Sequence, residues 1–255
     1  MTARYALYYA PRPEEALATV ASRWLGRSSL PESDRLAEIT AEPRRYAFHA
    51  TLKPPMTLAD DANERDLLEA VGRFAYGQRA FTTPALALSE LSGFLAMVLA
   101  APAPELQVLA DQCVVEFDRF RQPSGEKELA RRRAAGLTPR QDELLQRWGY
   151  PYVLDEWRFH LTLTGRIADP VERAGVAKLL RQRFALFIGQ PLDVRDLCVF
   201  RQPGTDRPFI LLARFRLGGG RLVYRSVARN LSKASAAASS VPSFMIVSSR
   251  ESSTA

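Results

Sequence analysis

The chain alternates between two hydrophobic periods. Over Arg4–Tyr9 apolar side chains recur as in a strand, with aromatics frequent and β-branched residues few. From Leu17 the spacing becomes three or four. Leu17, Val20, Ala21, Trp24 and Leu25 form one helical face behind a Pro-Arg-Pro-Glu start. Tyr46–Lys53 alternates again, and Asp60 or Asn63 then caps a helix that carries Leu67, Val71 and Phe74. Two strands follow, Ala85–Leu91 and Phe94–Ala100, with the turn at Ser92-Gly93. A helix with Leu106, Leu109, Cys113, Phe117 and Phe120 runs on to Gln122-Pro123.

The second half repeats that order. Trp157–Gly165 alternates, Asp169-Pro170 supplies an N-cap with proline at the first helical position, and Val171, Ala174, Leu180, Phe184 and Phe187 follow at helical spacing. Strands are predicted at Asp193–Arg201 and Phe209–Leu217, joined through Pro203-Gly204. The predicted fold is therefore α/β in the α+β sense. Two strand–helix–strand–strand lobes, one over about residues 1–122 and one over about 153–217, would pack as one domain with pseudo-two-fold symmetry about a central cleft. An insert at 123–152, with Lys127, the run Arg131-Arg132-Arg133 and a helix around Arg140–Trp148, reads either as a solvated charged helix or as a basic lid. After Leu217 the sequence turns to Gly, Ser and Ala without a sustained period, so residues 218–255 are expected to be a disordered tail.

Composition narrows the function classes. With 47% hydrophobic and 25% charged residues, the 255-residue chain has the make-up of a soluble globular protein and enough length for a real core. No apolar stretch is long enough for a signal peptide or a membrane span. Cys113 and Cys198 lie far apart in apolar surroundings and read as buried thiols, which suggests a cytoplasmic protein. The net charge of +7 invites a nucleic-acid reading, yet Arg221, Arg225, Arg229, Lys233 and Arg250 put much of it in the tail, against Glu251 alone. What remains suits an anionic substrate better than a polynucleotide groove.

The candidate chemistry lies in the two histidines, the only ones in the chain. Each sits in the same pattern: Phe48-His49-Ala50-Thr51-Leu52 and Phe159-His160-Leu161-Thr162-Leu163. Alternation on a strand would place His49, Thr51 and Lys53 on one face, and Arg158, His160, Thr162, Thr164 and Arg166 on another. If those faces meet, imidazoles, hydroxyls and cations converge. Imidazole titrates near cellular pH and can act as base or acid, and hydroxyls and cations stabilise charge on a phosphoryl group. Cleavage of a cyclic phosphodiester needs that combination. No zinc set, Asp-rich pair or Walker or Rossmann glycine loop is visible, so neither metal nor cofactor is expected.

Paired His-x-Thr motifs on related lobes resemble the two-histidine (2H) phosphoesterase superfamily. The resemblance covers about residues 1–217 and implies His49 and His160 as acid and base, with Thr51 and Thr162 as phosphate ligands. Lys53, Arg158, Thr164 and Arg166 are added as substrate-binding candidates from the strand alternation. The stretches Arg4–Pro11, Tyr46–Pro55, Leu137–Gln141, Trp148–Tyr152 and Phe159–Arg166 are similar to a branch found among phosphonate-utilisation (carbon–phosphorus lyase) genes. That similarity implies a small phosphorylated sugar as substrate, such as 5-phosphoribosyl 1,2-cyclic phosphate. Hydrolysis of RNA 2′,3′-cyclic phosphate ends, and non-catalytic binding of phosphosugar or RNA, are the alternatives. No membrane partner is implied.

Overall fold

The computed structural model describes residues 3–29 and 31–218, so the expectation for the tail lies outside the described residues except at Gly218. The elements run β1 (Arg4–Tyr9), α1 (Ala16–Trp24), α2 (Asp34–Ile39), α3 (Ala41–Tyr46), β2 (Ala50–Thr57), α4 (Glu64–Gly77), β3 (Phe81–Leu91), β4 (Phe94–Leu99) and α5 (Pro104–Glu116). Then come α6 (Glu126–Arg133), α7 (Pro139–Trp148), β5 (Leu161–Thr162), α8 (Pro170–Arg183), β6 (Pro191–Val194), β7 (Asp196–Gln202) and β8 (Ile210–Arg216). Among the described residues, no helix is long and apolar enough to cross a membrane.

Local chemistry accounts for the boundaries. Asn63 caps α4 by accepting from the Asp66 N–H, and Asp169 caps α8 by accepting from Val171 with Pro170 next in line. Thr138 and Gln141 close a reciprocal capping box at the start of α7, and Gly149 ends that helix in the left-handed region. Ser92 and Gly93 both take positive φ, which forms the two-residue turn between β3 and β4.

The strands form two four-stranded antiparallel sheets, ordered β2-β1-β7-β8 and β5-β4-β3-β6. The motif-bearing strands β2 and β5 occupy the same edge position in their sheets. Pro54 and Pro55 agree with that placement, because proline cannot donate to a second neighbour. The sheets are not built from contiguous halves of the sequence, however, and here the expected lobe boundaries need correction. The single strand expected at Asp193–Arg201 breaks at Arg195. Its first part, β6, pairs with β3, and its second part, β7, crosses to the other sheet and pairs with β1. Each sheet therefore combines strands from the first and the second half of the chain, an interlock that favours one cooperative unit.

One apolar cluster lies between the layers. It includes Leu7 from β1, Leu52 from β2, Met97 from β4, Leu161 from β5 and Val199 from β7, with Leu67, Leu109 and Leu180 from the helices. Helix α4 packs on β7 and β8, α5 on β2 and α8 on β3. Cys113 and Cys198 are free and buried. The opposite face of β1 presents Ala6 and Tyr8, which join Cys198, Phe200 and Phe209 in a second cluster packed against Tyr46 and Ala47.

Candidate active site

The two motifs enter the cleft through irregular backbone, where the alternation predicted continuous strands. Tyr46 ends helix α3, Ala47 turns the chain with φ 63°, and β2 begins only at Ala50. Strand β5 is two residues long, because Trp157–His160 approach it as an extended loop. In both places the turn lets the imidazole fold back on its own chain. His49 Nδ1 lies 2.9 Å from the Ala47 carbonyl, and His160 Nδ1 lies 2.8 Å from the Arg158 carbonyl. A carbonyl only accepts, so Nδ1 carries the proton in each ring and Nε2 is left as the unprotonated nitrogen. The indole of Trp157 donates to the Thr51 carbonyl at 2.7 Å and ties the second motif to the first.

His49, Thr51, His160 and Thr162 line one cleft of about 770 Å³. The ring of Tyr8 stacks on His49 with centroids 3.8 Å apart, and Thr51 Oγ1 is 3.3 Å from His49 Nε2. Phe94 lies against His160 at 5.9 Å between ring centres. Arg4, Arg45, Arg131, Arg132 and Arg166 also line the cleft, with Glu42 as its acidic member. Arg4 is held by the neutral amide of Gln202 at 2.8 Å, and Arg45 by the Thr205 carbonyl at 2.5 Å. Neither charge is cancelled by those partners, so the cleft carries positive potential suited to a phosphate.

Burial pushes both imidazoles down from the usual histidine range. His49 is pushed to about 4 by desolvation, which the bond to Ala47 opposes in part and to which the positive potentials of His160 and Arg27 add less. An unfolded imidazole titrates near 6.5, so across the interval from 6.5 to about 4 the unfolded chain binds a proton that folded His49 refuses. Stability should therefore fall as pH drops through that interval. A His49→Gln variant should show a flatter dependence of melting temperature on pH; an unchanged slope would place the acid lability elsewhere.

The remaining candidates divide. Arg166 lies on the cleft wall, its side chain passing over Gly93, where an added Cβ would meet Arg166 Cγ at 3.2 Å. Thr164 also reaches the wall, but it is buried and its hydroxyl oxygen accepts from the Leu95 N–H at 3.0 Å, which fastens the motif to β4. It serves the frame before any ligand. Lys53 is not in the cleft. Thr51 opposes Tyr8 and Lys53 opposes Leu7, which leaves Leu52 as an extra residue in a β-bulge. The bulge reverses the alternation, so Lys53 follows Leu7 to the core side and donates to the Val114 carbonyl at 2.9 Å. Arg158 is exposed and borders a different groove beside Pro102 and Gln107, because the extended loop before β5 does not keep strand alternation.

Sequence reasoning missed Arg4, Tyr8, Arg45 and Tyr150 as cleft residues. Tyr8 left a trace: β1 has aromatics on both faces, which is unusual unless both are covered or used. The insert does reach the site, since Arg131, Arg132 and Tyr150 line the cleft. Among the described residues, no three His, Cys, Asp or Glu side chains converge as metal ligands.

The family described as "Protein of unknown function (DUF1045)" matches residues 51–210. A ribose 1,5-bisphosphate phosphokinase PhnN of Janthinobacterium sp. (strain Marseille) is 38% identical over 85% of this chain and 51% of its own length. The protein of the same name from Laribacter hongkongensis is 32% identical over 82% of this chain and 50% of its own. The chain thus spans about half the length of these curated relatives. Among solved structures, E. coli LigT complexed with 3′-AMP is similar at 14% identity and a TM-score of 0.45, over 86% of this chain and all of that one.

Proposed function

Since the chain belongs to the DUF1045 family, whose description assigns no function, we propose one from the site: metal-independent hydrolysis of a cyclic phosphodiester on a ribose-type sugar, by a two-histidine phosphoesterase mechanism. The observation that carries this reading is the repeated imidazole geometry. Two rings, each with Nδ1 bonded to the carbonyl two residues earlier and Nε2 left unprotonated, line one arginine-bearing cleft. Two identical tautomers are what an acid–base pair needs, because either ring can take or give a proton at Nε2.

Burial lowers both rings, so each is neutral near pH 7. An anionic phosphate raises both, and the first proton goes to the ring with less opposing potential. His49 bears the positive influence of His160 and Arg27 in addition to burial, so His160 is assigned the acid role and His49 the base. His49 Nε2 takes a proton from water as the water oxygen bonds to phosphorus. The phosphorus–oxygen ester bond breaks, and His160 returns a proton to the departing alkoxide. Thr51 and Thr162 donate to the phosphoryl oxygens as their charge grows.

The sugar is proposed from the names of the curated relatives, which specify a ribose phosphorylated at positions 1 and 5. Opening 5-phosphoribosyl 1,2-cyclic phosphate at the O2–phosphorus bond gives that bisphosphate. The phosphokinase activity itself does not transfer with the name: it belongs to proteins twice as long, and this sequence has no Walker glycine loop. The test is incubation in chelator with ribosyl 1,2-cyclic phosphates, nucleoside 2′,3′-cyclic phosphates and a linear diester, followed by phosphorus NMR. Turnover of the ribosyl compound is expected. Turnover only of nucleoside cyclic phosphates would redirect the reading to RNA ends, and turnover abolished by chelator would refute the metal-free mechanism.

A further inference from the structure

Three phenols line the cleft and none has a hydrogen-bond partner among the described residues. Tyr8 is the clearest case. It is 1% exposed, fixed by its stack on His49, and lines the cleft with its hydroxyl unbonded. A phenol held rigidly at a cleft wall with no protein acceptor is free to donate to a ligand that enters the cleft. Tyr46 stacks on Phe209 with centres 5.3 Å apart, and its ring lies 6.2 Å from that of His49. Tyr150 comes from the insert, with the Arg132 guanidinium 5.0 Å from its ring centre. Tyr8, Tyr46 and Tyr150 all line the same cleft. Arg4 lines the same cleft, its guanidinium 5.7 Å from the centre of the Phe209 ring on which Tyr46 stacks, and its bond to the Gln202 amide leaves its charge available.

Hydroxyl donors beside two guanidinium groups, of which Arg132 also bonds Glu128 at 2.9 Å while Arg4 meets only a neutral amide among the described residues, describe an oxyanion receptor. Phenols can donate to a phosphoryl oxygen, and guanidinium groups supply charge and further donors. The cluster is not needed to hold the reacting phosphate, which the two threonines already serve. We propose that Tyr8, Tyr46 and Tyr150, with Arg4 and Arg132, form a second anion subsite that takes a phosphomonoester carried elsewhere on the substrate. The inference rests on the hydrolytic reading above and narrows it. The substrate is a cyclic phosphate bearing a separate terminal phosphate, and the insert takes part in recognising it through Tyr150 and Arg132.

Two measurements test the subsite. In the first, kcat/KM is compared for ribose 1,2-cyclic phosphate with and without a phosphate on O5, in wild type, Tyr150→Phe and Arg132→Gln. The wild type should prefer the phosphorylated sugar, and each variant should shrink that preference about tenfold or more, as expected for one bond to a charged group. No preference in the wild type, or equal losses on both sugars, would overturn the subsite. The second measurement does not need turnover. Ribose 5-phosphate is titrated calorimetrically into the full-length His49→Ala/His160→Ala protein, with and without Tyr150→Phe. Binding that weakens about tenfold supports the subsite; no binding, or binding indifferent to Tyr150, overturns it. If ribose 5-phosphate binds through Tyr150 while no cyclic sugar is cleaved, the subsite stands and the hydrolytic reading fails.

Discussion

Replacing His49 or His160 by Ala should lower turnover of the cyclic sugar by a factor on the order of 10² to 10⁴ while the protein still binds it. The expectation follows from what each ring supplies. Without His49 no group in the cleft with a free imidazole nitrogen remains beside Thr51 to take the proton of attacking water. Without His160 the alkoxide must leave unprotonated. Both protons move in the same transition state, so the double variant should be little worse than the worse single one. Near-additive losses would mean that the two rings act in separate steps. The measurement is steady-state kinetics with phosphorus NMR to confirm the product, alongside calorimetric titration of uncleaved substrate. Single variants that lose affinity instead of rate, or lose neither, would replace the enzyme with a binding protein.

The histidines were legible because their signal is repetition. Two short motifs used every imidazole in the chain, and the structure brings both to one cleft although 110 residues lie between them. Asp169-Pro170, Asn63 and Ser92-Gly93 were legible for a local reason, since caps and tight turns need particular side chains or dihedrals. The failures are non-local. Alternation assigned Lys53 to the cleft, but one bulge residue, Leu52, reversed the faces, and a bulge is a property of the pairing with β1. Likewise nothing at Arg195 announces that the chain changes sheets there; that depends on which edge β3 leaves open for β6. The second anion cluster draws on β1, α3, α6 and the segment after α7, so no window of sequence contains it.

The misplaced lysine yields the largest expected effect on stability. Asp118→Ala should destabilise the fold by about 3 kcal/mol or more near neutral pH, the usual cost of leaving a buried charge without its partner. Lys53 is 1% exposed, and among the described residues its ammonium bonds the Val114 carbonyl and Asp118, the latter at 3.3 Å. Asp118 also accepts from Arg121 at 2.7 Å, and Arg121 reaches on to the Arg147 carbonyl at the end of α7. Desolvation already pushes Lys53 down to about 8, with Asp118 opposing that shift. The sign of the pH effect follows. Between about 8 and 10.5 the unfolded chain holds a proton that folded Lys53 has shed, so this site gains stability as pH rises. The deficit of Asp118→Ala should accordingly be greatest near pH 7 and shrink in alkali, where the stranded ammonium can become a neutral amine. Adding Lys53→Met removes the stranded charge and should restore most of the loss, as apolar replacement of buried ion pairs often does. Urea denaturation at pH 7 and pH 9.5 measures both effects. A cost below about 1 kcal/mol, or no recovery in the double variant, would show that the pair contributes little to holding β2 against α5. The Lys53→Met/Asp118→Ala protein should also hydrolyse the cyclic sugar at the wild-type rate; a large loss of rate in a fold of restored stability would return Lys53 to the phosphate.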